Sequence, residues 1–184
     1  ESGRSEIVVT TNILGDVVRN VVGDAAEVRV LMKPNADPHS FGVSAQEAEA
    51  MNTADLIVYN GLGLEENVTR NVESAAESGV PTLAVGERID PIRYTEGDTA
   101  GAPDPHFWTD PQRMITAVDV IERVIINEVN GIDTVAVERN AQVSGLHQEV
   151  CALDRVGRSL SKLTQCFERH EHLYPALESD REIR

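Results

Sequence analysis

The sequence predicts an α/β fold: a parallel sheet flanked by helices, followed by a long connecting helix. Three observations predict it. Over the first 85 residues, short β-branched apolar runs alternate with longer segments whose apolar residues recur every three or four positions. Clusters of Gly, Pro, Asn and Asp punctuate the alternation. A single three-four pattern then runs on from about residue 133. Strand-helix alternation of this kind buries a parallel sheet between helical layers.

Taken in order, "IVVTT" (residues 7–11) reads as a buried strand. "NILGDVVRNVV" follows as a helix with Ile13, Val17 and Val21 on one face and Gly23 as its stop. "AEVRVLM" is the second strand, and "KPNADPHSF" is a loop because two prolines and an asparagine break any regular element. The next helix opens on a capping box, with Ser44 as N-cap and Glu47 three residues on. "DLIVYN" is the third strand. "LGLEENVTRNVESAAESG" (residues 62–79) reads as one helix ending at Gly79, and "PTLAV" is the fourth strand. Residues 86–109 are irregular, and a loop that long in a compact unit is usually functional or disordered. Asp110 then caps a helix with Pro111 at its first position and a stripe of Met114, Val118, Ile121 and Ile125. After "NGID", Val143, Leu146, Val150, Leu153, Leu160 and Leu163 predict a last helix from Asp133, roughly thirty residues long. The remaining tail, from residue 167, is charged and weakly periodic.

A net charge of −15, from 31 acidic and 16 basic side chains, argues against nucleic-acid binding and favours cations. A generically acidic surface has the same composition. No apolar run approaches the ~20 residues that span a bilayer, and "ESGRSE" lacks the apolar core of a signal segment. The acid is concentrated before about residue 141, where the composition changes.

The chemistry concentrates in two echoing motifs, "ADPHSF" and "APDPHFWTDPQ". His39 falls in the loop after the second strand and His106 in the loop after the fourth. In open parallel sheets, right-handed crossovers bring those loops to one edge, where ligands bind. Imidazole suits Zn²⁺ and other first-row metals. Asp37 and Asp104, each two residues before a histidine, are candidates to hold the second ring nitrogen, and Trp108 to wall the site. The plainer readings are that a loop histidine is solvated and inert, that Asp-Pro merely starts a turn, and that Trp108 belongs to the core. Other candidates are weaker. His170 and His172 sit two apart on a charged tail, and His147 reads as a surface residue of the long helix. Cys151 and Cys166 lie about 22 Å apart along one predicted helix, too far for a disulfide. "NGLGLEEN" lacks the Gly-Lys-Ser/Thr of a phosphate cradle.

"VVTTNILGDVVRNVVGD", "MKPNADPHSF", "ADLIVYNGLGLEEN" and "DPHFWTDP" together resemble the cluster A-I metal-binding proteins of bacterial ABC transporters, the zinc and manganese solute-binding receptors. The resemblance runs from about residue 6 to 140 and more thinly, through "RNAQ" and "CALDRVGRSLSKL", to about 163. It implies one lobe of a two-lobed receptor: residues 1–131 as the N-terminal metal-binding lobe, 132–166 as the connecting helix and 167–184 as an irregular tail, with no C-terminal lobe in the chain. It implies His39 and His106 as the two ligands of this lobe, a divalent metal as cargo, an ABC permease as partner and an extracytoplasmic location. It implies no enzyme chemistry, and self-association through the face that the second lobe would cover. Two imidazoles favour zinc over manganese, although residues 86–105 lack the histidine-rich stretch associated with zinc. The alternatives are a metal-dependent hydrolase, which lacks a clear general base here, and a surface adhesion module with an incidental metal.

Overall fold

The computed structural model describes residues 4–155. Four strands form one parallel sheet: β1 (Glu6–Val9), β2 (Glu27–Val30), β3 (Leu56–Tyr59) and β4 (Thr82–Ala84), in the order β2-β1-β3-β4. Five α-helices accompany them: α1 (Asn12–Val22), α2 (Ala45–Thr53), α3 (Thr69–Glu77), α4 (Pro111–Glu128) and α5 (Thr134–Arg155). The predicted parallel sheet between helices is therefore present. The chain runs from β1 outward to β2 and returns past β1 to β3. The strand order thus reverses between β1 and β3, and a crevice opens at their carboxyl ends.

Strand alternation divides the core into two layers. Ile7, Val9, Leu56, Val58 and Leu83 face a cluster completed by α1, α4 and α5, through Leu14, Val18, Met114, Val118, Ile121, Val137 and Ala141. Val8 and Ile57 face the opposite side, against Met51 of α2 and Val72 and Ala75 of α3. β1 and β3 are apolar on both faces because both are covered. β2, an edge strand, has no fully buried residue.

The caps follow the sequence closely. Ser44 accepts from the Glu47 N–H while the Glu47 carboxylate accepts from the Ser44 N–H at 2.7 Å, closing the capping box. Asp110 accepts from the Gln112 N–H at 2.9 Å, ahead of Pro111. Asp133 accepts from the Ala136 N–H at 3.0 Å, so α5 begins where the sequence places it. Gly23, at φ 54°, ends α1 and donates its N–H to Arg19 O.

Three expectations are corrected. Ile13 is 37% exposed, and the buried face of α1 is carried by Leu14, Val17, Val18, Val21 and Val22. The i, i+4, i+8 row chosen from sequence starts one residue too early for a face that wide. The helix expected over residues 62–79 begins only at Thr69. Gly61, Leu62 and Gly63 all have positive φ, at 74°, 57° and 77°, and no right-handed helix passes through three such residues. In α5, Val143 is 38% exposed, and the helix docks on α1 and α4 through Val137 and Ala141. Leu146, Val150 and Leu153 lie beyond the last side chain described, and Leu160, Leu163 and the tail lie outside the described residues.

Candidate metal centre

The two Asp-Pro-His loops meet at the carboxyl edge of the sheet. His39, after β2, and His106, after β4, point Nε2 at Nε2 across 3.3 Å. Their ring centroids are 5.4 Å apart and their planes are tilted by 52°. Each loop is stiffened locally. Asp37 accepts from the His39 N–H at 3.1 Å and from the Ser40 hydroxyl at 2.9 Å, while Asn67 donates to Ser40 O at 3.1 Å and ties the loop to the approach to α3.

Around His106 the support is more extensive. Asp104 Oδ1 accepts from the His106 N–H at 3.0 Å and lies 2.7 Å from its Nδ1. The Tyr94 hydroxyl donates to the same oxygen at 3.1 Å. A carboxylate at Nδ1 keeps the proton on that nitrogen and leaves the Nε2 lone pair free for a metal. Burial works to raise the Asp104 carboxyl. The His106 N–H, its ring and the Tyr94 hydroxyl outweigh that and hold it below the ordinary carboxylate value. Asp37 is also held low, first by the His39 N–H and then by the Ser40 hydroxyl.

The two aspartates thus divide, although both stood as candidates to orient a ring. Asp104 meets its imidazole. Asp37 shapes the turn that presents His39 and spends its oxygens on the main chain and on Ser40. Trp108 touches both His106 and the core. Its ring stands edge-on to His106 at 5.1 Å and also packs against the larger core cluster. His147 and Cys151 fall on α5 beyond the last side chain described, and Cys166, His170 and His172 lie outside the described residues.

Several supporting residues carried no sequence signal strong enough to single them out. Tyr94 belongs to an irregular hairpin in which Arg93 bridges Pro103 and the Asp104 N–H donates to Ile92 O at 2.7 Å. Thr10, Asn60 and Glu65 lie buried beneath the site, in the crevice between β1 and β3. Glu65 is 4% exposed, and burial pushes its carboxyl above the ordinary value against the hydroxyl and N–H donors that favour its charge. The available cue was a carboxylate set in the otherwise apolar and glycine-rich "NGLGLE".

Among the described residues, no group of three or more His, Cys, Asp and Glu side chains could hold a metal ion. The two imidazoles therefore stand as a pair, with no third such side chain beside them among the described residues. A family model described as zinc-uptake complex component A, periplasmic (ZnuA), matches residues 7–155. The chain belongs to this family. Its ZnuA-type lobe is 30% identical over 149 residues to the iron-binding protein YfeA of Yersinia pestis, covering 81% of this chain and 46% of that protein. It is 29% identical over 144 residues to the manganese-binding lipoprotein MntA of Halalkalibacterium halodurans, covering 78% and 46%. The periplasmic zinc-binding protein TroA of Treponema pallidum superposes with a TM-score of 0.72 at 27% identity, over 82% of this chain and 53% of that one. The chain therefore spans about half the length of the relatives it matches, and its sheet and helices match one lobe of such a protein.

Proposed function

We propose that this ZnuA-family chain captures a divalent transition metal through His39 and His106 and delivers it, outside the cytoplasm, to the permease of an ABC importer. The observation that carries the reading is the 3.3 Å between the two Nε2 atoms. Two nitrogens bound tetrahedrally to one Zn²⁺ at about 2.0–2.1 Å lie about 3.3–3.4 Å apart. The edge is thus shaped for a cation before one arrives, which keeps the ordering cost of capture low. On this reading residues 1–131 are the N-terminal lobe, 132–166 are the connecting helix, and donors beyond the described residues complete the shell. The names of the relatives support the class of cargo, since YfeA, MntA and TroA are described as binding iron, manganese and zinc. They also support the location, being described as a lipoprotein and a periplasmic protein. No helix among the described residues is long and apolar enough to cross a membrane.

The cargo is bound and handed on without a chemical step. Zinc is the favoured ion, because two imidazoles at tetrahedral spacing suit it best. Calorimetric titration of Zn²⁺ and Mn²⁺ into the wild type and into the His39→Ala/His106→Ala double variant tests both claims. The wild type should bind zinc more tightly than manganese, and the double variant should lose at least ~100-fold in zinc affinity. A double variant that binds as tightly as the wild type removes the site, and tighter manganese binding removes the preference.

A further inference from the structure

Beneath the two histidines, where the strand order reverses, lies a polar knot with almost no access to water. Thr10 and Asn60 are fully buried and Glu65 is 4% exposed. The Thr10 hydroxyl donates to Glu65 Oε1 at 2.6 Å, and the Asn60 N–H donates to the same oxygen at 2.7 Å. The Gly61 N–H donates to Oε2 at 3.1 Å. One carboxylate thus joins the carboxyl ends of β1 and β3, elements separated by some fifty residues of sequence. From that anchor the Asn60 side chain reaches outward. Its Nδ2 donates to Pro105 O at 3.0 Å and to Gly61 O at 3.2 Å.

This arrangement is poorly suited to stability alone. Burying a carboxylate is costly unless its oxygens are satisfied, and an apolar group of similar shape often fills such a position at less cost. Asn60 Oδ1 is buried with no hydrogen-bond partner among the described residues, which is a further cost. A polar side chain kept at that cost is expected to fix a geometry. The geometry at its tip belongs to Pro105, the residue before His106. Pro105 is buried and has no N–H, so its carbonyl is its one main-chain hydrogen-bonding group. On the other side of that peptide, Asp104 holds both the His106 N–H and the ring.

We infer that Asn60 is a positioning residue for the metal site: anchored through Glu65 and Thr10, it clamps the Pro105 carbonyl and so sets where the His106 imidazole stands relative to His39. The inference rests on the reading of His106 as a ligand only for its consequence in metal binding. The clamp itself is a property of the metal-free chain. Metal-ligand distances are held within about 0.2 Å, so a loop released by even a fraction of an ångström no longer presents both nitrogens together.

The test compares Asn60→Ala with Ile125→Ala in the full chain. Ile125 is also fully buried, but it lies about 20 Å along α4 from Asp110 and so controls for simple loss of stability. In the metal-free protein, amide exchange at His106 is measured relative to the amides of β1. Asn60→Ala should speed it at least ~10-fold on that relative scale, and Ile125→Ala should not. With Zn²⁺, Asn60→Ala should bind at least ~10-fold more weakly, with the ring nitrogen shift of His106 reduced on binding and that of His39 retained, while Ile125→Ala keeps wild-type affinity. Should Asn60→Ala fail to fold, Asn60→Ser, too short to reach Pro105, replaces it with the same expectations. Unchanged relative exchange at His106 overturns the clamp, as does an equal loss of affinity in Ile125→Ala. Faster exchange at His106, in a chain whose His39→Ala/His106→Ala variant still binds zinc normally, leaves the clamp standing and removes the ligand reading instead.

Discussion

At the scale of single residues, the two aspartates of the repeated Asp-Pro-His motif carry different work. Asp104 holds the His106 ring; if His106 is a ligand as proposed, such an outer partner contributes about 10–100-fold to metal affinity. Asp104→Ala should therefore weaken zinc binding by about that factor in a chelator competition assay. Asp37→Ala, which frees a turn but no ring nitrogen, should weaken it less; the reverse ranking would contradict the division. Glu65 gives a pH dependence with a definite sign. Burial raises its folded pKa above the ordinary 4.5, so between those two values the folded chain binds more protons than the unfolded one. Stability then falls as pH rises through that window. Urea midpoints of the wild type should accordingly improve relative to Glu65→Gln as pH drops from neutral toward 4.5, and the relative gain should cease below it. A wild-type midpoint that falls relative to Glu65→Gln on acidification would show that the donors around Glu65 outweigh its burial.

At the scale of elements, the sequence was most legible where one residue type has one local use. The Ser44–Glu47 box, Asp110 with Pro111, and Asp133 are caps whose hydrogen bonds close within three residues, so no tertiary knowledge was needed to see them. Ser44→Ala should cost about 1 kcal/mol by denaturant unfolding, because it removes one of those bonds. Legibility failed where distant partners decide. The segment from Leu62 to Thr69 looks helical by spacing, yet Glu65 is turned inward to the ends of β1 and β3, and Gly61, Leu62 and Gly63 all take positive φ. The same dependence hid half of the candidate site. The two histidines announce themselves by their matching contexts, whereas Tyr94, Asn60 and Thr10 are ordinary letters until the fold sets them beneath or beside His106. Gly15 shows how tight that fold is. A Cβ there would collide with the Val30 side chain where α1 crosses β2, so Gly15→Ala should destabilise by about 1–3 kcal/mol through overpacking.

At the scale of the whole molecule, two features act together: a strand order that opens a crevice at one edge, and a charge of −15 spread over 184 residues. Self-repulsion from 31 acidic against 16 basic side chains works against the compact state. On the proposed reading of His39 and His106 as ligands, the same net charge should attract divalent cations and speed their encounter. Salt separates the two consequences, since the screening length falls from about 10 Å at 0.1 M to about 3 Å at 1 M. Raising sodium chloride over that range should raise the melting temperature of the metal-free chain by a few degrees, on the order of 1 kcal/mol for a protein of this size. Over the same range, the stopped-flow association rate for zinc should fall several-fold while dissociation changes little, because the imidazoles that hold the ion carry no net charge when they coordinate it. If the association rate does not respond to salt, the acidity of the chain serves its solubility alone. Capture then depends only on the local geometry of His39 and His106.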